Sequence, residues 1–122
     1  MNKKVLVAED DQLLSQLMVK RLQEEGFDTR ATFDGGAAVE QVKQWKPDLL
    51  LLDILMPVKN GYEVLEAIRA DIDTAATVVL IVSNLGASED MEKAASYGVK
   101  EFIKKSDSTP SAIAARVKVL LG

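Results

Sequence analysis

Asp53 closes the apolar run Leu49-Leu50-Leu51-Leu52 and stands just before Met56-Pro57. A run of that kind reads as a strand buried on both faces, the pattern of a central strand in a parallel sheet. Its polar end marks the carboxyl edge, where ligands bind in open α/β sheets. Other chemistry-bearing residues stand at equivalent places. Lys3 to Ala8 runs into Glu9-Asp10-Asp11, the stretch from Thr77 ends at Ser83, and Val99 to Ile103 runs into Lys104-Lys105. Carboxylates crowded at one rim repel one another, and a divalent cation with oxygen ligands is the natural means of holding them ionised. Magnesium fits best, since it is bound through one or two carboxylates together with waters and phosphate oxygens.

The elements that must carry these residues alternate between strand and helix periods, the pattern of five βα units around a parallel sheet. Leu14, Leu17, Met18 and Leu22 mark a first helix that stops at Gly26, and Phe27 to Thr32 is a short second strand. Asp34 is placed to cap a second helix carrying Ala38, Val39, Val42 and Trp45, which must end before Pro47. The third strand runs to Asp53, and after the Pro57 to Gly61 turn Val64, Leu65, Ile68 and Ile72 form the stripe of a third helix. Thr77 to Ser83 is the fourth strand. Met91, Ala94 and Ala95 lie on a short fourth helix closed by Gly98, and the fifth strand covers Val99 to Ile103. Thr109-Pro110 starts the last helix as N-cap and first helical position, with Ile113, Val117, Leu120 and Leu121 facing inward. Right-handed crossovers then bring Glu9, Asp10, Asp53, Ser83 and Lys105 to one rim.

Bulk properties narrow the chemistry. The 122 residues suit one domain, spanning 1–122, with an ordinary apolar core. No apolar stretch approaches the roughly 20 residues that span a membrane, and a basic-then-apolar signal pattern is missing at the amino end, which reads as a cytoplasmic protein without a membrane partner. There is no cysteine and no histidine, so thiolate chemistry, the usual zinc sites and histidine bases are excluded, leaving carboxylates. A net charge of −4 with scattered lysines argues against direct nucleic-acid binding.

Val-Ala-Glu-Asp-Asp after the first strand, Asp-Ile-Leu-Met-Pro with Gly61 after the third, Ser83 after the fourth and Gly98 to Lys105 around the fifth together resemble the receiver domain of bacterial response regulators over the whole chain. The resemblance implies a flavodoxin-like (βα)5 doubly wound fold with strand order 2-1-3-4-5 and a phosphoacceptor switch of two-component signalling, regulatory rather than enzymatic. It assigns Asp53 as the residue phosphorylated by a histidine kinase or phosphotransfer protein. Asp10 and Asp53 become direct ligands of Mg2+, Glu9 a ligand through water, and the Leu55 backbone carbonyl a further oxygen. Lys105 supplies positive charge to the phosphoryl group, and the Ser83 hydroxyl donates to a phosphoryl oxygen, drawing the loop from Asn84 to Gly86 with it. Phe102 is the aromatic that changes burial with that loop. The output surface, for an effector or output domain, is the fourth helix, fifth strand and fifth helix, in a monomer or a phosphorylation-linked dimer.

Two positions leave the family pattern beside the site. Ser106 stands where a proline usually follows the lysine, and Asn84 replaces a frequent small residue after Ser83, where its bulk would hinder attack by water. Val78 also stands where proline is common. Taken singly, each element has an ordinary role: acids at a helix amino end are favourable by about 0.3–1 kcal/mol, and paired lysines form solvated edges. The joint pattern carries the reading. A receiver-like interaction module that is never phosphorylated is the alternative, and the intact Asp10, Asp53, Ser83 and Lys105 speak against it. A flavin- or nucleotide-binding protein would need a phosphate cradle after the first strand, where three acids would repel phosphate. An aspartate-based phosphatase would carry its nucleophile on the first strand.

Overall fold

The computed structural model describes residues 2–122. Strands β1 (Lys4–Ala8), β2 (Asp28–Thr32), β3 (Leu49–Leu52), β4 (Val78–Ser83) and β5 (Glu101–Lys104) alternate with helices α1 (Gln12–Glu24), α2 (Gly35–Trp45), α3 (Gly61–Ala70), α4 (Ser88–Ser96) and α5 (Pro110–Leu121). All pairings are parallel, and the sheet order is β2-β1-β3-β4-β5. This is the doubly wound (βα)5 arrangement.

Successive side chains along a strand point to opposite faces, and both faces of this sheet are covered. Val5, Val7, Leu49, Leu51, Leu80 and Val82 pack on one side with Met18 and Leu22 of α1 and Ile113 and Val117 of α5. Leu6, Ala8, Leu50, Leu52, Val79 and Ile81 pack on the other with α2 and α3, through Ala38, Val42, Val64, Leu65 and Ile68. Each fully buried leucine contributes roughly 1.5–3 kcal/mol relative to exposure, so β3, with four of them, has one stable register. A slip by one residue would carry Asp53 into the apolar interior.

Local chemistry starts the helices where it should. Asp11, Asp34 and Thr109 accept hydrogen bonds from the backbone N–H of Leu14, Ala37 and Ala112, and Pro110 takes the first position of α5. Asn60 and Glu63 form a reciprocal capping box at α3. The amino end of α4 differs, with Ala87 at its cap and no side-chain hydrogen bond there.

The structure shifts several expected details. β3 ends at Leu52 rather than Asp53, and β5 begins at Glu101 rather than Val99. On α1 the buried positions are Ser15, Met18 and Leu22, and Leu17 turns out to water at 47% exposure because it lies about a quarter turn off that stripe. Ile72 is 93% exposed, because α3 ends at Ala70 and the extended backbone of Asp71 carries the chain away from the core. Of the apolar residues on α4 only Ala94 is buried; Met91 and Ala95 face solvent. Edge strand β5 is correspondingly only half-buried.

Candidate functional site

The parallel ladder continues one step past the strand ends and so aligns the acids. Asp53 N–H donates to the Ala8 carbonyl at 3.0 Å, and Glu9 N–H donates to the Thr32 carbonyl at 3.1 Å. Asp53 and Glu9 are thereby seated side by side on backbone that the core holds rigid. Both are buried, at 3% and 1% exposure, whereas Asp10 is exposed. Carboxylate oxygens of Glu9, Asp10 and Asp53 lie within 4.8 Å of one another.

Lys105 reaches this cluster from the 3-10 turn Lys105–Asp107 that follows β5. Its ammonium donates to Asp53 Oδ2 at 2.8 Å and forms an ion pair with Glu9 Oε1 at 2.5 Å. Lys104, one residue earlier, instead lays its aliphatic stem beside Gly86 and stays exposed. Asp53 Oδ1 accepts from the Leu55 N–H at 3.2 Å, while the Leu55 side chain is 53% exposed and turned to water. Glu9 Oε2 accepts from the Asp11 N–H at 3.0 Å.

Electrostatics follow from crowding and burial. Burial pushes the Glu9 carboxyl up to about 7; Lys105 and the Asp11 N–H pull it back down, and the charge of Asp53 adds to the rise. Burial alone would lower the Lys105 ammonium, but hydrogen bonds and charge from Asp53 and Glu9 outweigh it and raise it. With all three acids ionised, three negative charges against one positive leave an excess of two at the site. Hard oxygen donors carrying that excess fit a divalent cation of the Mg2+ type, with Glu9, Asp10 and Asp53 as the residues to hold it.

The remaining predicted residues lie around this centre. Ser83 is fully buried at the carboxyl end of β4, and its Oγ accepts a long 3.4 Å contact from the Leu85 N–H. Asn84 is exposed beside it. Phe102 is half-buried and packs with Leu85 against the α2–α3 side of the core. The peptide bonds around Ser106 are trans. The loop after Asp53 is anchored by close approach: Gly61 N–H donates to the Ile54 carbonyl at 2.8 Å, and a Cβ on Gly61 would sit 2.7 Å from Ile54 Cα. Sequence reading missed the matching contact across that loop. A Cβ on Gly35 would lie 1.9 Å from the Lys59 carbonyl oxygen, and only a glycine ahead of the α2 pattern hinted at it.

A doubly wound parallel sheet that gathers three carboxylates and a lysine at the carboxyl ends of its strands defines an α/β protein built around a cation-ready rim. The model of the response regulator receiver domain matches residues 5–118, and the chain belongs to that family of two-component signalling modules. It is 33% identical over 120 residues to the chemotaxis protein CheY of Halobacterium salinarum, covering 98% of both chains. It is 31% identical over 121 residues to the DNA-binding response regulator MtrA of Mycolicibacterium smegmatis, covering 99% of this chain and 51% of MtrA. The chain thus spans about half the length of that relative. Among solved structures, the receiver domain of the Francisella response regulator 1452 superposes with a TM-score of 0.88 at 29% identity, over 98% of this chain and 96% of that one. Receiver domains are regulatory modules, and none of this chain's described helices is long and apolar enough to cross a membrane.

Proposed function

We propose that this receiver domain is a phosphoacceptor switch that takes a phosphoryl group from a histidine kinase or phosphotransfer protein onto Asp53. The observation that carries the reading is Asp53 itself: a carboxylate 3% exposed at the end of the central strand, held by Lys105 at 2.8 Å and flanked by Glu9 and Asp10. A carboxylate held out of water beside an ammonium and two further acids is the kind of setting in which functional acids cluster.

The residues divide the work. Asp53 attacks phosphorus through a carboxylate oxygen, the P–N bond to the donor imidazole breaks, and the imidazole leaves with the bonding pair and takes up a proton. Glu9, Asp10 and Asp53, with the Leu55 carbonyl, would hold Mg2+, which would offset the charge of the phosphoryl oxygens. Lys105 is already at Asp53 and exchanges its contact with Oδ2 for one with a phosphoryl oxygen. The Ser83 hydroxyl, whose present contact is long, turns to donate to another. Phe102 and Leu85, both half-buried against the same side of the core, then repack, and the surface of α4, β5 and α5 changes for an effector or output domain.

Intact mass after incubation with acetyl phosphate and Mg2+ tests the assignment. The native protein should gain one phosphoryl group and Asp53→Asn none; no gain in the native protein sinks the reading. Exposed Asn84 beside Ser83 hinders the water that attacks the aspartyl phosphate. Asn84→Ala should therefore shorten the phosphoryl lifetime, measured by the decay of that mass, and an unchanged lifetime removes Asn84 from the account.

A further inference from the structure

Helix α4 is fastened unevenly. Its carboxyl end is rooted: Ala94, Tyr97 and Val99 pack against the core, and Arg69 of α3 donates from Nε to the Tyr97 carbonyl at 2.8 Å. The same guanidinium ties down the approach to β4 through the Ala75 and Thr77 carbonyls, at 2.9 and 2.7 Å. The amino end has no such roots. It lacks a side-chain cap, Met91 is 44% exposed, and Glu89 and Glu92 face water. Among the described residues, the side-chain hydrogen bond that holds this end comes from one residue of α3. Tyr62 Oη donates to Asp90 Oδ1 at 2.9 Å, and Lys93 Nζ sits 4.1 Å from the centre of the Tyr62 ring.

Both halves of that contact begin at the acidic site. Tyr62 follows Gly61, which is clamped to Ile54 directly after Asp53. Asp90 lies in the first turn of α4, at the end of the loop that leaves Ser83. The hydrogen bond therefore spans the two loops that depart from Asp53 and Ser83, and its length registers any displacement of one against the other.

We propose that Tyr62, Asp90 and Lys93 form a latch that holds the amino end of α4 against α3, with the Arg69 to Tyr97 contact as the hinge at the other end, and that movement of the Ser83 loop toward a phosphorylated Asp53 opens it. The trigger rests on the reading of Asp53 as phosphoacceptor; the latch does not. Burial and the neighbouring carboxylate of Asp90 push the Tyr62 hydroxyl up to about 12, so it remains a donor at neutral pH. A hydrogen bond to a charged acceptor is strong enough to set the population of a helix end that buries almost nothing.

Backbone amide hydrogen exchange, read by mass spectrometry on the unphosphorylated protein, tests the latch. Tyr62→Phe keeps the ring and removes the donor; it should accelerate exchange over residues 88–93 by about tenfold, with residues 94–99 and the sheet unchanged. Asp90→Asn, which keeps an acceptor oxygen but removes its charge, should fall between the two. Exchange over 88–93 that is identical in native protein and Tyr62→Phe overturns the latch. A second arm adds acetyl phosphate and Mg2+ to the native protein. Mass gain with faster exchange over 88–93 supports the trigger, and mass gain with unaltered exchange overturns it. A native protein that gains no mass fails the phosphoacceptor reading instead, and the first arm still decides the latch.

Discussion

Glu9 is the residue whose chemistry is most changed by its surroundings. Its carboxyl, about 4.5 when free, rises to about 7 in the folded chain because burial disfavours its charge. Between those values the folded state keeps a proton that the unfolded state has lost, so stability falls as pH rises through this window and the full cost is present above pH 7. Gln at this position mimics the protonated acid. In metal-free buffer at pH 8, Glu9→Gln should therefore be more stable than the native protein, by up to about 3 kcal/mol. The advantage should vanish near pH 4.5. Urea unfolding at the two pH values, with chelator present, gives the comparison; an equal difference at both would show that charge on Glu9 is not the cause.

At the scale of elements, the loop between β3 and α3 stores strain next to the site. Val58 has φ +69 and is 78% exposed. A β-branched side chain in the left-handed region is a true outlier, costing on the order of 1–2 kcal/mol, and at this exposure the approach of its Cγ1 to Gly36 offsets little of it. The loop is held in that shape from outside: Gly35 N–H donates to the Pro57 carbonyl at 3.1 Å, and Gly35 presses on the Lys59 carbonyl. Val58→Gly should raise the melting temperature by about 4 °C, whereas Gly35→Ala, which must displace backbone, should lower it. Thermal unfolding followed by circular dichroism distinguishes them. A lower melting temperature in Val58→Gly would mean that the valine makes a stabilising contact after all. α4 shows the opposite economy, with one buried residue and a polar tether in place of packing.

At the scale of the whole molecule, one rigid sheet brings distant residues into contact and leaves its edges adjustable. Asp53 and Lys105 are 52 positions apart yet hydrogen-bonded, because every parallel strand delivers its carboxyl end to the same rim. Much of this was legible in the order of residues. Apolar runs such as Leu49–Leu52, capping residues such as Asp34 and Thr109, and the acids that close the first and third strands are set by neighbours in the chain, and periodicity reads them directly. Less legible were Leu17 and Ile72, whose apolar character says nothing about where a helix turns or stops. The protonation of Glu9 and the hold of Tyr62 on Asp90 were decided only in three dimensions, and it is there that Lys105, the lysine already chosen by counting from Gly98, meets Asp53 and Glu9. Strand and helix type and the acids that close β1 and β3 follow from local patterns, whereas the strand order came with the family resemblance and the rim needs the whole sheet. Which groups touch, and how far water is excluded from them, depends on distances between segments, and those exist only once the sheet and its five helices have packed together.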